Sequence, residues 1–263
     1  MSITHVANGA NIGSGSSPVS CAVPAGVAVG DLLVIHSVVR ESAPTTTVNT
    51  PSGFSVTGSV QGGAGAEGAD SGKSRTAPFI READGSEGAS VSVSTTGATL
   101  SSLNARMSAY RKASGDVWDV AYALATINSG GSTSLSFVFD RDPDIRAGDL
   151  VLCCLGMNTD AYTYSGYSLT ASGITEGTVT QRYSNGNTAG NDLHSVLVTH
   201  DIASGVSAGV PTLSLTASGS AANAPAGSAV LLRLRAVTPG GGAAIRRVRS
   251  LHMVPGSPPV YVF

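Results

Sequence analysis

Charge is scarce in this chain. Only 12% of its 263 residues are charged, and the formal net charge is −2. Attraction to nucleic acid or anionic lipid needs a clustered positive field, so no nucleic-acid partner is expected. Long Lys and Glu side chains, which usually populate helix surfaces, are few, and no stretch keeps an apolar 3.6-residue period over the length of a helix. No apolar run is long enough to span a bilayer, so membrane insertion is not expected. The opening MSITHVANGA has neither the basic segment nor the apolar core of a secretory leader, so synthesis in a cytoplasm is expected. Cysteine is limited to Cys21, Cys153 and Cys154, an odd number without metal spacing. Adjacent Cys153 and Cys154 on a strand would point to opposite faces, as small buried apolar residues rather than parts of a disulfide framework.

Glycine and small residues fill the space that charge leaves. The 33 glycines punctuate short apolar runs, and 41% of the chain is hydrophobic, which is too much for a disordered composition. Short runs between Gly and Pro turns predict an all-β fold of the sandwich type, jelly-roll-like or immunoglobulin-like. In the first part of the chain the pattern predicts strands at Val19–Val23, Leu32–Val39, Phe54–Val60, Ser74–Ala83, Ser90–Ser94 and Ala105–Lys112.

These pieces recur. Gly30-Asp31-Leu32-Leu33-Val34 returns as Gly148-Asp149-Leu150-Val151-Leu152, Asp149 lying 118 residues after Asp31. The strand Arg75–Ile80 is matched around Ser195–Val198, and Val91-Ser92-Val93 by Leu213-Ser214-Leu215. Each series closes on a strand with basic residues, Ala105–Lys112 and Ala229–Arg235. Several matches in one order predict two tandem homologous β-sandwich domains, 1–115 and 116–237, with Trp118 as an inter-domain plug. The Gly-rich segment 61–73 and its counterpart Tyr183–Asp192 read as loops, the first a candidate contact surface. Residues 238–263 read as a Gly-rich linker and an extended attachment arm. Its partner-binding candidates are Arg246, Arg247, Arg249, Val260, Tyr261 and Phe263.

Candidate chemistry is thin. Gly63-Ala64-Gly65-Ala66-Glu67-Gly68 has dinucleotide-loop spacing without the following helix that would receive a pyrophosphate. Gly72-Lys73-Ser74 lacks the upstream glycine of a phosphate loop, with Glu67 in its place. Asp140, Asp142 and Asp144 alternate as carboxylates around a cation would, but the EF-hand glycine and terminal glutamate are missing, so an acidic turn is the competing reading. Asp192, His194 and Ser195 carry triad residue types, yet strand neighbours face opposite ways. His36 and His200 have no evident acid partner in the sequence. Tyr162, Tyr164 and Tyr167, with Tyr183 near, could stack on a glycan or pack as a strand edge. No catalytic residue, resident metal or cofactor is expected, and the chain does not read as an enzyme.

Taken together, Pro24-Ala25-Gly26, Gly30–Val34, Pro51–Phe54, Val91–Val93 and Ala109–Arg111 resemble a pattern of virion proteins from tailed bacteriophages, especially of actinobacterial hosts. The second copy matches in part: Tyr164-Ser165-Gly166-Tyr167 replaces Pro-Ser-Gly-Phe, and the closing Tyr is absent. The end Gly256–Val262 is similar to the short terminal segment of many minor tail proteins. The resemblance implies a non-enzymatic virion component assembled in the host cytoplasm, a minor tail protein first and a head decoration or minor capsid protein second. Its partners would be other virion proteins and copies of itself. A carbohydrate-binding module for the host surface is the third reading, resting on the tyrosines.

Overall fold

The computed structural model describes residues 3–41, 46–63, 73–96, 100–127, 133–159, 162–188, 192–219 and 225–239. Those residues form strands and turns and no helix. The first half contains β1 (Thr4–Asn8), β2 (Ile12–Ser14), β3 (Val19–Ala22), β4 (Leu32–Glu41), β5 (Thr47–Val48), β6 (Ser55–Val56), β7 (Val60–Gly62), β8 (Ser74–Glu82), β9 (Ser90–Val93), β10 (Thr95–Thr96) and β11 (Leu100–Arg111). The second contains β12 (Val117–Ile127), β13 (Ser134–Val138), β14 (Leu150–Met157), β15 (Tyr162–Thr170), β16 (Ile174–Asn187), β17 (Leu193–Gly205), β18 (Thr212–Gly219) and β19 (Gly227–Val237).

The protein is an all-β sandwich in four layers. A seven-stranded sheet runs β1-β11-β4-β8-β6, with β2 also on β11 and β7 also on β8. A five-stranded sheet runs β12-β19-β14-β17-β16. The two share one order, with β1, β11, β4, β8 and the β6–β7 edge standing where β12, β19, β14, β17 and β16 stand. The pairs β3–β9 and β5–β10 accompany the first large sheet, and β13-β18-β15 covers the second. Period-two patterning builds the outer layers: in β13 Leu135 and Phe137 point inward while Ser134, Ser136 and Val138 stay exposed.

The central strands follow a different rule. All eight residues of β14 are buried, because both of its faces are covered. Val151, Cys153 and Leu155 enter the core under the three-stranded sheet, while Leu150, Leu152 and Cys154 enter a middle layer between the two large sheets. In β4, Leu33, Ile35 and Val39 join the core of the first half, while Leu32 and Val34 join the middle layer. The two halves thus do not close separate cores and merely touch; they share a third apolar layer that also holds Ile80, Tyr110, Trp118, Tyr183, Leu197 and Leu232. Burying an aliphatic or aromatic side chain yields about 1.5–3 kcal/mol, so this layer dominates the contact between the halves.

Each half starts its central strand in the same way. Gly30 and Gly148 take positive φ, 91° and 84°, where a side chain would be strained. Asp31 then accepts from the Ala28 N–H at 2.8 Å and takes Arg111 Nε and Nη2 at 2.8 and 2.7 Å. Asp149 accepts from the Arg146 N–H at 2.7 Å and takes Arg235 Nε and Nη2 at 2.8 Å each. Burial opposes ionisation of Asp31, but Arg111 and the Ala28 N–H outweigh it and hold the carboxyl below its ordinary value. This bidentate pair ties the turn to the last strand of each half.

Two expectations need correction. The strand expected at Phe54–Val60 is two short ones, β6 and β7, broken around Gly58, whose φ is 149°. The loop expected from Tyr183 is strand as far as Asn187, because Tyr183 is held in the middle layer. Replacing Asp149 by Ala leaves the Arg146 N–H without its acceptor and takes from Arg235 its bidentate partner, Asp144 remaining. It should lower stability by about 2 kcal/mol in urea denaturation while leaving the β circular-dichroism signature unchanged.

Candidate functional site

The densest polar constellation lies in the middle layer, on the β4 residues that face the second half. His36 is fully buried, and its Nδ1 lies 2.8 Å from the Tyr183 hydroxyl. The Tyr183 ring stacks on the imidazole at a centroid distance of 5.9 Å, and Arg106 lies over the same ring at 4.8 Å. Further along β4, Arg40 Nη1 donates to the carbonyls of Asn158 and Asp192 in the second half. Beside it, Ser74 Oγ donates to the Gly156 carbonyl at 2.9 Å, and Thr76 Oγ1 meets Ser228 Oγ at 2.8 Å. Asn104 Nδ2 donates to Ser195 Oγ and to the Asn185 carbonyl, both at 3.2 Å. Trp118 lies in the same layer, its Nε1 donating to the Gly30 carbonyl at 3.0 Å. Each of these contacts joins one half to the other, and Trp118 also lines a surface recess with Leu32, Ile80 and Val120.

The triad residue types do not converge. His194 Nε2 lies 2.6 Å from Ser184 Oγ on β16, and its ring meets Tyr164 edge-on at 5.0 Å. Ser195 faces the other way, towards Asn104. His200 does have an acid, which the sequence did not reveal: its Nδ1 is 2.5 Å from Glu176 Oε1. The register shifts between Glu176 and Val179 bring the two together, and plain strand spacing does not reveal such a shift. Glu176 also accepts from the Leu169 N–H at 2.8 Å and so ties β15 to β16. Burial works against its charge, but His200 and Leu169 outweigh it and keep the carboxyl below its usual value.

The candidate cation turn is not a chelate. Asp140 pairs with Arg141 at 2.6 Å and caps the Leu124 N–H at 2.9 Å. Asp142 accepts from the Asp144 N–H at 2.9 Å and from Ser207 Oγ at 2.5 Å. Asp144 pairs with Arg146 at 2.9 Å and Arg235 at 3.3 Å. The carboxylates are turned to separate donors, and among the described residues no group of three or more His, Cys, Asp or Glu is placed to hold a metal ion.

The tyrosines are likewise not an exposed platform. Tyr162 and Tyr164 are 3% and 4% exposed and sit in the core of the second half. Tyr167 packs against that core, and its hydroxyl donates to the Tyr164 carbonyl at 2.8 Å. Tyr162 and Tyr164 are thus core residues and offer no face for stacking on a glycan, while Tyr167 is part-buried at the core's edge. The three cysteines are buried free thiols. Burial pushes the Cys21 thiol up to about 12, and those of Cys153 and Cys154 also upward. Of the glycine-rich match only Gly63 is described, its N–H donating to the Ile127 carbonyl at 3.0 Å. Arg246, Arg247, Arg249, Val260, Tyr261 and Phe263 lie outside the described residues. No family model, curated protein or solved structure matches this chain.

Two outcomes follow from these placements. Tyr162→Ala and Tyr164→Ala should each cost about 3 kcal/mol of stability in urea denaturation, as core truncations do. Burial also pushes His36 from 6.5 down to about 3. Between those values the unfolded chain holds a proton on His36 that the folded chain does not. Stability is therefore full above pH 6.5 and falls as the pH drops towards 3, by about 1.4 kcal/mol per pH unit at most. Urea denaturation should show a loss of about 2–3 kcal/mol from pH 6.5 to 4.5, and a clearly smaller one in His36→Gln.

Proposed function

We propose that this chain is a non-enzymatic structural component of a bacteriophage virion, a minor tail protein that works through protein–protein contacts and is assembled in the host cytoplasm. The observation that carries this reading is the use of the polar and aromatic side chains. His36, Arg40, Asn104, Thr76, Ser228 and Tyr183 are spent on joining two β halves into one four-layer body. The residues that invited catalysis, cation binding or glycan stacking are spent on the scaffold in the same way. A body braced through its middle layer suits a part that must hold its shape while neighbours assemble on it. The scaffold motifs around Gly30–Val34 and Pro51–Phe54 support the phage reading by resemblance. Residues 238–263 supply an attachment arm in this reading, with Arg246, Arg247 and Arg249 for an acidic neighbour and Val260, Tyr261 and Phe263 for an apolar one. A head decoration protein would use the same physics at another address.

Particles assembled with the chain ended after Pro239 test the attachment role. The truncated protein should keep its β circular-dichroism signature and its melting temperature, yet be missing from purified particles. Normal incorporation would overturn the arm's role. A cryo-electron microscopy map of particles with the full chain would separate tail from capsid, and absence from any particle would overturn the virion reading.

A further inference from the structure

The contact between the two halves has an internal symmetry. In the seven-stranded sheet Thr76, Val38 and Asn104 lie in one row across β8, β4 and β11. In the five-stranded sheet Ser195, Gly156 and Ser228 lie in one row across β17, β14 and β19. Aligning Gly30-Asp31 with Gly148-Asp149 places Val38 on Gly156, and the registers then place Thr76 on Ser195 and Asn104 on Ser228. Across the interface Thr76 Oγ1 meets Ser228 Oγ at 2.8 Å, and Ser195 Oγ meets Asn104 Nδ2 at 3.2 Å. These are one contact made twice with the halves exchanged.

The exchange holds at the margins. Gly62 pairs with Ser74, and Asn187 with Leu193, so Gly62 and Asn187 are equivalent positions. Gly13 pairs with Asn104, and Thr126 with Ser228, so Gly13 and Thr126 are equivalent too. A Cβ on Gly62 would stand 2.9 Å from Thr126 Cβ, and a Cβ on Gly13 would stand 3.0 Å from Asn187 Cγ. Farther out, Asn8 Nδ2 donates to the Arg182 carbonyl at 3.1 Å, and its counterpart Tyr122 packs on Gly58. An exchange that maps a set of contacts onto itself is a two-fold axis, and an interface built on one is self-complementary. The axis runs where residues face their own equivalents, at Val38 against Gly156 and at Arg40 against Asn158, whose carbonyl accepts from Arg40 Nη1. A side chain on Gly156 would collide with Val38 Cγ1 and also with Thr76 Oγ1.

We propose that the buried face of each half is a self-pairing surface whose partner is a second copy of the same unit. The chain holds two such units in tandem as a fused dimer. Val38 and Gly156 act as knob and hole on the axis: two valines there would overlap, two glycines would leave a gap, and the mixed pair fills the space. Divergence on the axis, Val38 against Gly156 and the buried Arg40 against Asn158, makes pairing within the chain the favoured arrangement.

The test uses the full chain with a protease site between Ser114 and Gly115, cut after purification. The halves are then unfolded in urea, refolded and weighed by native mass spectrometry. The parent should return only mixed pairs of one N-terminal and one C-terminal half. With Val38→Gly and Arg40→Asn together, like-with-like pairs should appear beside the mixed ones, because both the overlap and the repeated buried charge on the axis are gone. Mixed pairs alone, or free halves, in that variant would overturn self-pairing. In the uncut chain Gly156→Val should lower the melting temperature by about 5–10 °C. The inverted pair Val38→Gly with Gly156→Val should restore part of that loss, the contact with Thr76 Oγ1 remaining. A Gly156→Val protein that melts with the parent would overturn the position of the axis.

Discussion

The fold depends on one constraint: β4 and β14 must be buried on both faces. Each is a run with few polar interruptions, and a strand of that kind is stable only between two layers. Covering one face of β14 takes the three-stranded sheet, and covering the other takes the opposite half of the molecule. The apolar middle layer is therefore a requirement of both halves. It also explains the polar inventory between them. A hydrogen bond contributes about 0.5–1.5 kcal/mol when made, and an unmade buried one costs about 1–3 kcal/mol, so the His36, Thr76 and Asn104 contacts set alignment more than they add strength.

The Gly-Asp turns secure this arrangement from outside the middle layer. Asp31 and Asp149 each fix a turn at the foot of a buried strand and reach across to an arginine on the last strand of the same half. The linking segment joins β11 to β12, so the two arginine-bearing strands bracket the join, and Trp118 closes the layer beside it. Asp31 and Asp149 are themselves buried, so each depends on its arginine for its charge.

Much of the architecture was readable because its signals are local. Gly-Asp before an apolar run marks β4 and β14, and strict alternation marks β9 and β18. The edges were not. β1 and β2 are short and mixed in burial, and β16 reads Ile-Thr-Glu-Gly-Thr-Val-Thr with glycines and an irregular register, so polarity alone suggests a loop. The tyrosines illustrate a different limit. Spacing by two places Tyr162 and Tyr164 on one face of a strand, but only the covering sheet decides whether that face is inside. His200 and Glu176 were hidden for a third reason, since a bulge carries no sequence mark of its own here.

The adjacent sulfurs of Cys153 and Cys154 lie in different layers, one on each side of a single sheet, and every thiol is buried with its proton held on. Thiolate is the form that oxidants and disulfides attack, and burial keeps these groups from it. The described body is thereby indifferent to redox surroundings: folded in a reducing compartment, it keeps the same covalent structure in an oxidising one, with no cross-link to gain and none to lose.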